Sequence, residues 1–89
     1  MAPVVVVLPG VLVALFPGAV PRVELAASTV AEVIDALDDR WPGMGDRIRD
    51  SRPGIRRHIN LFVGDERATL DTPVPPGAEV TILTAISGG

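Results

Sequence analysis

Eighty-nine residues make one domain with room for one modest core. An apolar content of 47% with 21% charged residues excludes a disordered chain, and a net charge of −3 with scattered basic residues argues against a nucleic-acid binder. All eight basic residues are arginine, which leaves the N-terminus as the sole amine open to acylation, and the absence of cysteine excludes disulfides, thiol catalysis and thiolate metal sites.

No charged residue falls between Ala2 and Pro21. Pro3, Pro9-Gly10, Pro17-Gly18 and Pro21 cut this stretch into pieces too short to span a bilayer. No Lys or Arg precedes Arg22, which argues against a secretory signal. The expectation is a cytoplasmic protein with no membrane segment.

Val4 to Leu8 is a valine-rich run closed by Pro9-Gly10 and predicts a central or doubly covered strand. Val11 to Phe16, fenced by Pro-Gly at both ends, reads as an apolar connecting loop with a few residues tucked under the sheet. Arg22-Val23-Glu24-Leu25 alternates with period two, so Val23 and Leu25 point inward from a second strand that forms a hairpin with the first. A capping box follows, Thr29-Val30-Ala31-Glu32, opening a helix. Val30, Val33, Ile34, Leu37 and Trp41 form its apolar stripe, with Glu32, Asp35, Asp38 and Asp39 on the other faces and Pro42-Gly43 as its stop. Trp41 reads as core packing.

Met44 to Ile55 is polar and arginine-rich, and reads as a turn or short helix around Ile48 followed by a loop. His58 to Val63 is a third strand, with Ile59, Leu61 and Val63 on one face and His58, Asn60 and Phe62 on the other. Gly64-Asp65-Glu66 is a tight turn, Arg67 to Leu70 a short strand or bend, and Asp71 to Ala78 a loop. Pro75-Pro76-Gly77 introduces a last strand, Val80 to Ile86, with Val80 and Ile82 on one face and Thr81 and Leu83 on the other. Four or five strands with one main amphipathic helix on one face describe an α+β domain over residues 1–86. Residues 87–89, Ser87-Gly88-Gly89, bury nothing and read as a flexible tail.

The chain offers little intrinsic catalysis. Its one histidine, His58, precedes an apolar strand and reads as an exposed or edge residue. Asp38-Asp39 and Asp65-Glu66 sit at a helix end and in a turn, where solvation accounts for them. No phosphate-binding glycine loop, no metal-ligand cluster and no nucleophile–base pair is present. The reactive feature is instead the C-terminal carboxylate of Gly89. Gly88 and Gly89 carry no side chains, so this tail can thread a narrow channel to a partner's nucleotide.

Three stretches together resemble the MoaD/ThiS family of ubiquitin-like sulfur carriers. They are Ser28 to Leu37 with Trp41-Pro42-Gly43, then Ile59 to Glu66, then Pro76-Gly77-Ala78-Glu79-Val80 through Ala85-Ile86-Ser87-Gly88-Gly89. The likeness covers most of the chain from Ser28 onward, and the approach Arg57-His58-Ile59-Asn60 is similar to that of the cysteine-synthesis branch. The resemblance implies a β-grasp fold, a mixed four- to five-stranded sheet. It also implies no enzyme activity and no bound cofactor. An ATP-dependent adenylating enzyme of the ubiquitin-activating type would form an acyl-AMP at Gly89, and a sulfur donor would convert it to a thiocarboxylate. A biosynthetic enzyme would then accept the sulfur for cysteine, molybdopterin, thiazole or thiolated tRNA. The alternatives are a protein modifier conjugated through Gly89 and a β-grasp binding module with an incidental diglycine.

Strand alternation also predicts a partner-docking patch. If the helix covers the face of Ile59, Leu61, Val63, Val80 and Ile82, then Phe62 and Leu83 project from the opposite face near the root of the tail. Thr81 and Asn60 lie beside them. Ubiquitin-like proteins commonly offer such a sheet patch to their activating enzymes. The free chain is expected to be a monomer, with no nucleic acid or membrane as partner.

Overall fold

The computed structural model describes residues 3–49, 54–55 and 59–84. Its elements in chain order are β1 (Val4–Val7), α1 (Gly10–Leu15), β2 (Arg22–Leu25), α2 (Val30–Arg40), α3 (Met44–Ile48), β3 (Ile59–Val63), β4 (Glu66–Arg67) and β5 (Glu79–Thr84). The five strands form one mixed sheet in the order β2-β1-β5-β3-β4. β1 pairs antiparallel with β2, Val4 opposite Leu25 and Val7 opposite Arg22. It pairs parallel with β5, Val6 opposite Val80. The sheet is completed by antiparallel pairs of β5 with β3 and of β3 with β4.

Alternation sets the core. Val4 and Val6 of β1, Val23 and Leu25 of β2, Ile59 and Leu61 of β3, and Val80 and Ile82 of β5 are all buried on one face. They share one core with Val30, Val33, Ile34 and Leu37 of α2 and with Met44 and Ile48 of α3. Val63, expected on the same face, is half-buried near the end of β3. At roughly 25 cal/mol per Å² of apolar surface removed from water, this layer of sheet against helix is the main source of stability. The mixed sheet with one main helix packed on it is the α+β, ubiquitin-like β-grasp that the sequence resembles.

The start of α2 is closed by three sets of contacts. Thr29 at the N-cap accepts a hydrogen bond from the Glu32 N–H through its hydroxyl, at 3.2 Å. The first N–H groups of the helix, on Val30 and Ala31, donate to the carbonyls of Thr72 and Leu70, so the long connection before β5 satisfies donors that a helix start leaves over. The Glu32 carboxylate reaches back to Ser28, one residue beyond the N-cap, accepting from both its N–H and its hydroxyl at 2.8 Å. The Ser28 N–H and then its hydroxyl hold the Glu32 carboxyl below its ordinary pKa of 4.5. A lowered folded-state pKa stabilises the fold fully above the ordinary value, and that contribution is lost as pH falls through the lowered one. Glu32→Gln should therefore lower the melting temperature near neutrality, and the gap to the parent should close at strongly acid pH. A gap that stays constant across that range would show that the carboxylate charge contributes nothing.

The end of α2 is fixed by a residue that the sequence left to solvent. Asp38 Oδ1 accepts from the N–H groups of Gly43 at 3.1 Å and Gly45 at 2.9 Å, fastening α3 to the last turn of α2. A Cβ at Gly45 would lie 3.0 Å from the Asp38 side chain, so glycine is what lets that carboxylate sit close against the backbone of α3. Trp41 lies just past the helix as its C-cap, half-buried, with its N–H donating to the Leu37 carbonyl.

Val11 to Phe16 corrects the expected loop. Residues Gly10–Leu15 are helical, with Pro9 at the N-cap and the Pro9 carbonyl accepting from Leu12 and Val13. Proline here costs no hydrogen bond, because its missing N–H precedes the first turn. The helix is short and has no side-chain cap, and Leu12, 2% exposed, anchors it in the core. β4 starts one residue earlier than expected, at Glu66, after the turn at Gly64 and Asp65. His58, the end of the last strand at Ala85-Ile86 and the Ser87-Gly88-Gly89 tail lie outside the described residues.

Candidate functional site

The sheet face turned away from α2 carries the residues expected to dock a partner. In the ladder between β3 and β5, Asn60 is opposite Leu83 and Phe62 is opposite Thr81. Directly paired residues point to one face of a sheet, with diagonal neighbours within reach of large side chains. The four residues are therefore brought together as one cluster, with Phe62 and Leu83 on its diagonal. The register is the expected one, since Leu61 is 1% exposed whereas Phe62 is half-buried and Leu83 is 46% exposed. Leu83 is followed by Thr84, the last described residue before the segment that leads to Gly88 and Gly89. The two glycines themselves lie outside the described residues.

Two features of this face were missed in the sequence. Besides Phe62 and Leu83 it carries Val5 and Val7 of β1, which turn outward and are half-buried, and Val7 is paired with Thr81. The apolar display also reaches the segment between β1 and β2. β1 runs parallel to β5, so this segment leaves the sheet at the end where Leu83 lies. It holds Val11, Leu15 and Val20, which with Leu83 are the large apolar side chains exposed among the described residues. Val11 and Leu15 are four apart, the spacing of one helix face. That spacing was legible in the sequence once Val11 to Leu15 is taken as helix.

No group of His, Asp or Glu among the described residues could hold a metal ion. A cavity of about 330 Å³ lies between Pro3, Ala27, Val74 and Pro76, at the sheet end opposite Leu83. Its one carboxylate, that of Glu32, is already engaged by Ser28. No helix among the described residues is long and apolar enough to cross a membrane. The arrangement can present an apolar surface on the sheet, which includes Leu83 near the last described residue of β5.

Comparison with known proteins agrees with this outline. No curated protein matches the sequence. Among solved structures, the chain is similar to a chain of the Amycolatopsis orientalis BexX/CysO complex, with 32% identity and a TM-score of 0.85 over 97% of this chain and 99% of that one. It is similar to Mycobacterium tuberculosis CysO, described as an antigen, at 30% identity and a TM-score of 0.82, covering 93% and 99% of the two chains. SAMP1 from Haloferax volcanii superposes with a TM-score of 0.80 at 25% identity, over 99% and 100%. The model of the ThiS family matches residues 6–89, nearly the whole sequence and including Gly88 and Gly89. With the β-grasp sheet, the apolar face and that match in hand, the chain belongs to the ThiS family of ubiquitin-like proteins.

Proposed function

We propose that this protein is a cytoplasmic sulfur carrier, activated and discharged by other enzymes at Gly89. The observation that carries the reading is the family match over residues 6–89, which runs through the diglycine. The Gly89 carboxylate attacks the α-phosphorus of ATP on an adenylating enzyme, giving acyl-AMP and releasing pyrophosphate. A sulfur nucleophile then displaces AMP, leaving a thiocarboxylate. The chain binds no cofactor in this scheme; ATP and the sulfur donor belong to the partner. The thiocarboxylate passes sulfur to a biosynthetic acceptor enzyme. That a relative, CysO, was crystallised in complex with BexX supports a life spent docking to partner proteins.

The test is the intact mass of the chain recovered from its own cell. One oxygen-for-sulfur exchange at the C-terminal residue is the expected result. A second reading has an observation of its own, because SAMP1 is called a small archaeal modifier protein. In that case Gly89 would end in an isopeptide bond to a lysine of a target. Ladders of the chain on larger proteins, with no thiocarboxylate, would favour it. A tail that carries neither mark would leave a binding module with an incidental diglycine.

The same reading assigns Phe62, Leu83, Thr81 and Asn60 to the surface that meets the adenylating enzyme. Phe62→Ala with Leu83→Ala removes two large side chains from a face that is not the core. Folding should survive, and binding to that enzyme should weaken by at least about tenfold, as expected for buried anchors at an interface. Unfolding of the double variant, or binding equal to the parent's, would place the patch elsewhere.

A further inference from the structure

The apolar face has a charge pattern as well as a shape. Pairing across the sheet lines up Arg22, Val7, Thr81, Phe62 and Arg67 in one row, an arginine at each edge with Val7, Thr81 and Phe62 between. The row beneath it holds Glu24, Val5 and Glu79. The row above it, toward the tail, holds Leu83 and Asn60.

The two arginines are in different states. Arg22 Nη2 lies 3.3 Å from Glu79 Oε2, an exposed pair whose positive charge already faces an acid. Arg67 Nη2 instead donates to Asn60 Oδ1, a neutral amide. Glu66, its neighbour in β4, is paired with Val63, and alternation turns it to the other face. No carboxylate among the described residues forms an ion pair with Arg67. Asn60 thus holds one nitrogen of the guanidinium beside Leu83, while the rest of the fork and the whole charge stay exposed.

We propose that Arg67, positioned by Asn60, is the residue by which this face selects its partner, a protein surface with an apolar contact for Phe62 and Leu83 and a carboxylate for Arg67. The inference rests on the carrier reading, in which that partner is the adenylating enzyme. Charge complementarity argues for it. A guanidinium fork fits a carboxylate with two parallel hydrogen bonds, and a cation held in place by a neutral amide has little to lose on meeting one. A charge at the rim of an apolar contact acts mainly on encounter and on the rejection of wrong partners, and its effect fades with salt.

The experiment uses the full chain and the enzyme purified by its chain-dependent ATP–pyrophosphate exchange. Arg67→Glu should raise the KM for the chain by about tenfold at low salt with kcat unchanged, and Arg67→Gln by a few fold. The parent's KM should climb with salt, and that dependence should flatten in both variants. Arg22→Gln should leave KM near the parent's value, because its charge is already offset. Variants of Arg67 with the parent's KM and salt dependence overturn the inference while leaving the carrier reading intact. If the chain alone forms a dimer that Arg67→Glu dissociates, with exchange unaffected, a second copy is the occupant and the inference falls. The absence of any chain-dependent exchange overturns the carrier reading and the inference together.

Discussion

Gly88→Val or Gly89→Val, or an uncleaved tag appended after Gly89, is expected to abolish adenylation while the domain melts as the parent does. The two effects separate because every buried core residue among the described ones precedes the tail. Along β5 the fully buried side chains among the described residues are Val80 and Ile82, Leu83 points outward, and Thr84, opposite Ile59, is half-buried at the strand end. A valine side chain in the tail stiffens and widens a segment that has to thread to a nucleotide, whereas glycine leaves the backbone free to approach it. An appended residue acts differently, by consuming in a peptide bond the carboxylate that would attack ATP. Chain-dependent ATP–pyrophosphate exchange measures the first step without any need to know the sulfur acceptor. A tagged chain that still supports exchange, with the tag shown by mass to be intact, would remove Gly89 from the mechanism.

What the sequence made legible follows from how local the responsible physics is. Strand faces were readable because alternation depends on nearest neighbours: Val23 and Leu25, or Val80 and Ile82, declare their side by what stands between them. The β-strand register then follows, and with it the meeting of Asn60 with Leu83 and Phe62 with Thr81. Thr29 was readable as a cap because its hydrogen bond is made three residues away. The fold class followed from these same signals together with the family resemblance.

The features that stayed hidden depend on tertiary contacts. Val11 to Phe16 carries Pro-Gly fences that mark a loop on local grounds, yet burial of Leu12 in the core selects the helical conformation. A six-residue helix has little stability of its own, so packing rather than propensity decides it. Asp38 looked like a solvated charge because its partners, the N–H groups of Gly43 and Gly45, lie beyond the helix end and face it only once the chain has turned. The Arg67–Asn60 contact joins residues seven apart across a hairpin, and its meaning depends on no carboxylate among the described residues pairing with Arg67, which the sequence alone does not reveal. Gly88 and Gly89 lie outside the described residues, so their role rests on chemistry and family rather than on geometry.

Leu37→Ala should be the most damaging single change in the folded domain. Leu37 sits mid-stripe on α2 with no exposed surface, in the core it shares with Ile34, Met44, Leu61 and Ile82. Removing most of a buried leucine costs the transfer of its methyl and methylene groups and leaves a cavity that packed neighbours fill only in part, about 2–5 kcal/mol in all. A domain of this size holds about 5–10 kcal/mol in total, so the variant approaches the edge of stability. At about 4–8 °C per kcal/mol for a chain of this length, the melting temperature should fall by at least about 8 °C. Leu83→Ala is the matched control, a leucine of the sheet that points away from the core, and it should melt close to the parent. Below its own melting point the Leu37 variant should still support adenylation, because the cavity lies on the far side of the sheet from Phe62 and Leu83. A shift of only a degree or two would mean that α2 does not bury this face. Lost adenylation in a variant still folded would mean that the core and the docking face are coupled through the sheet.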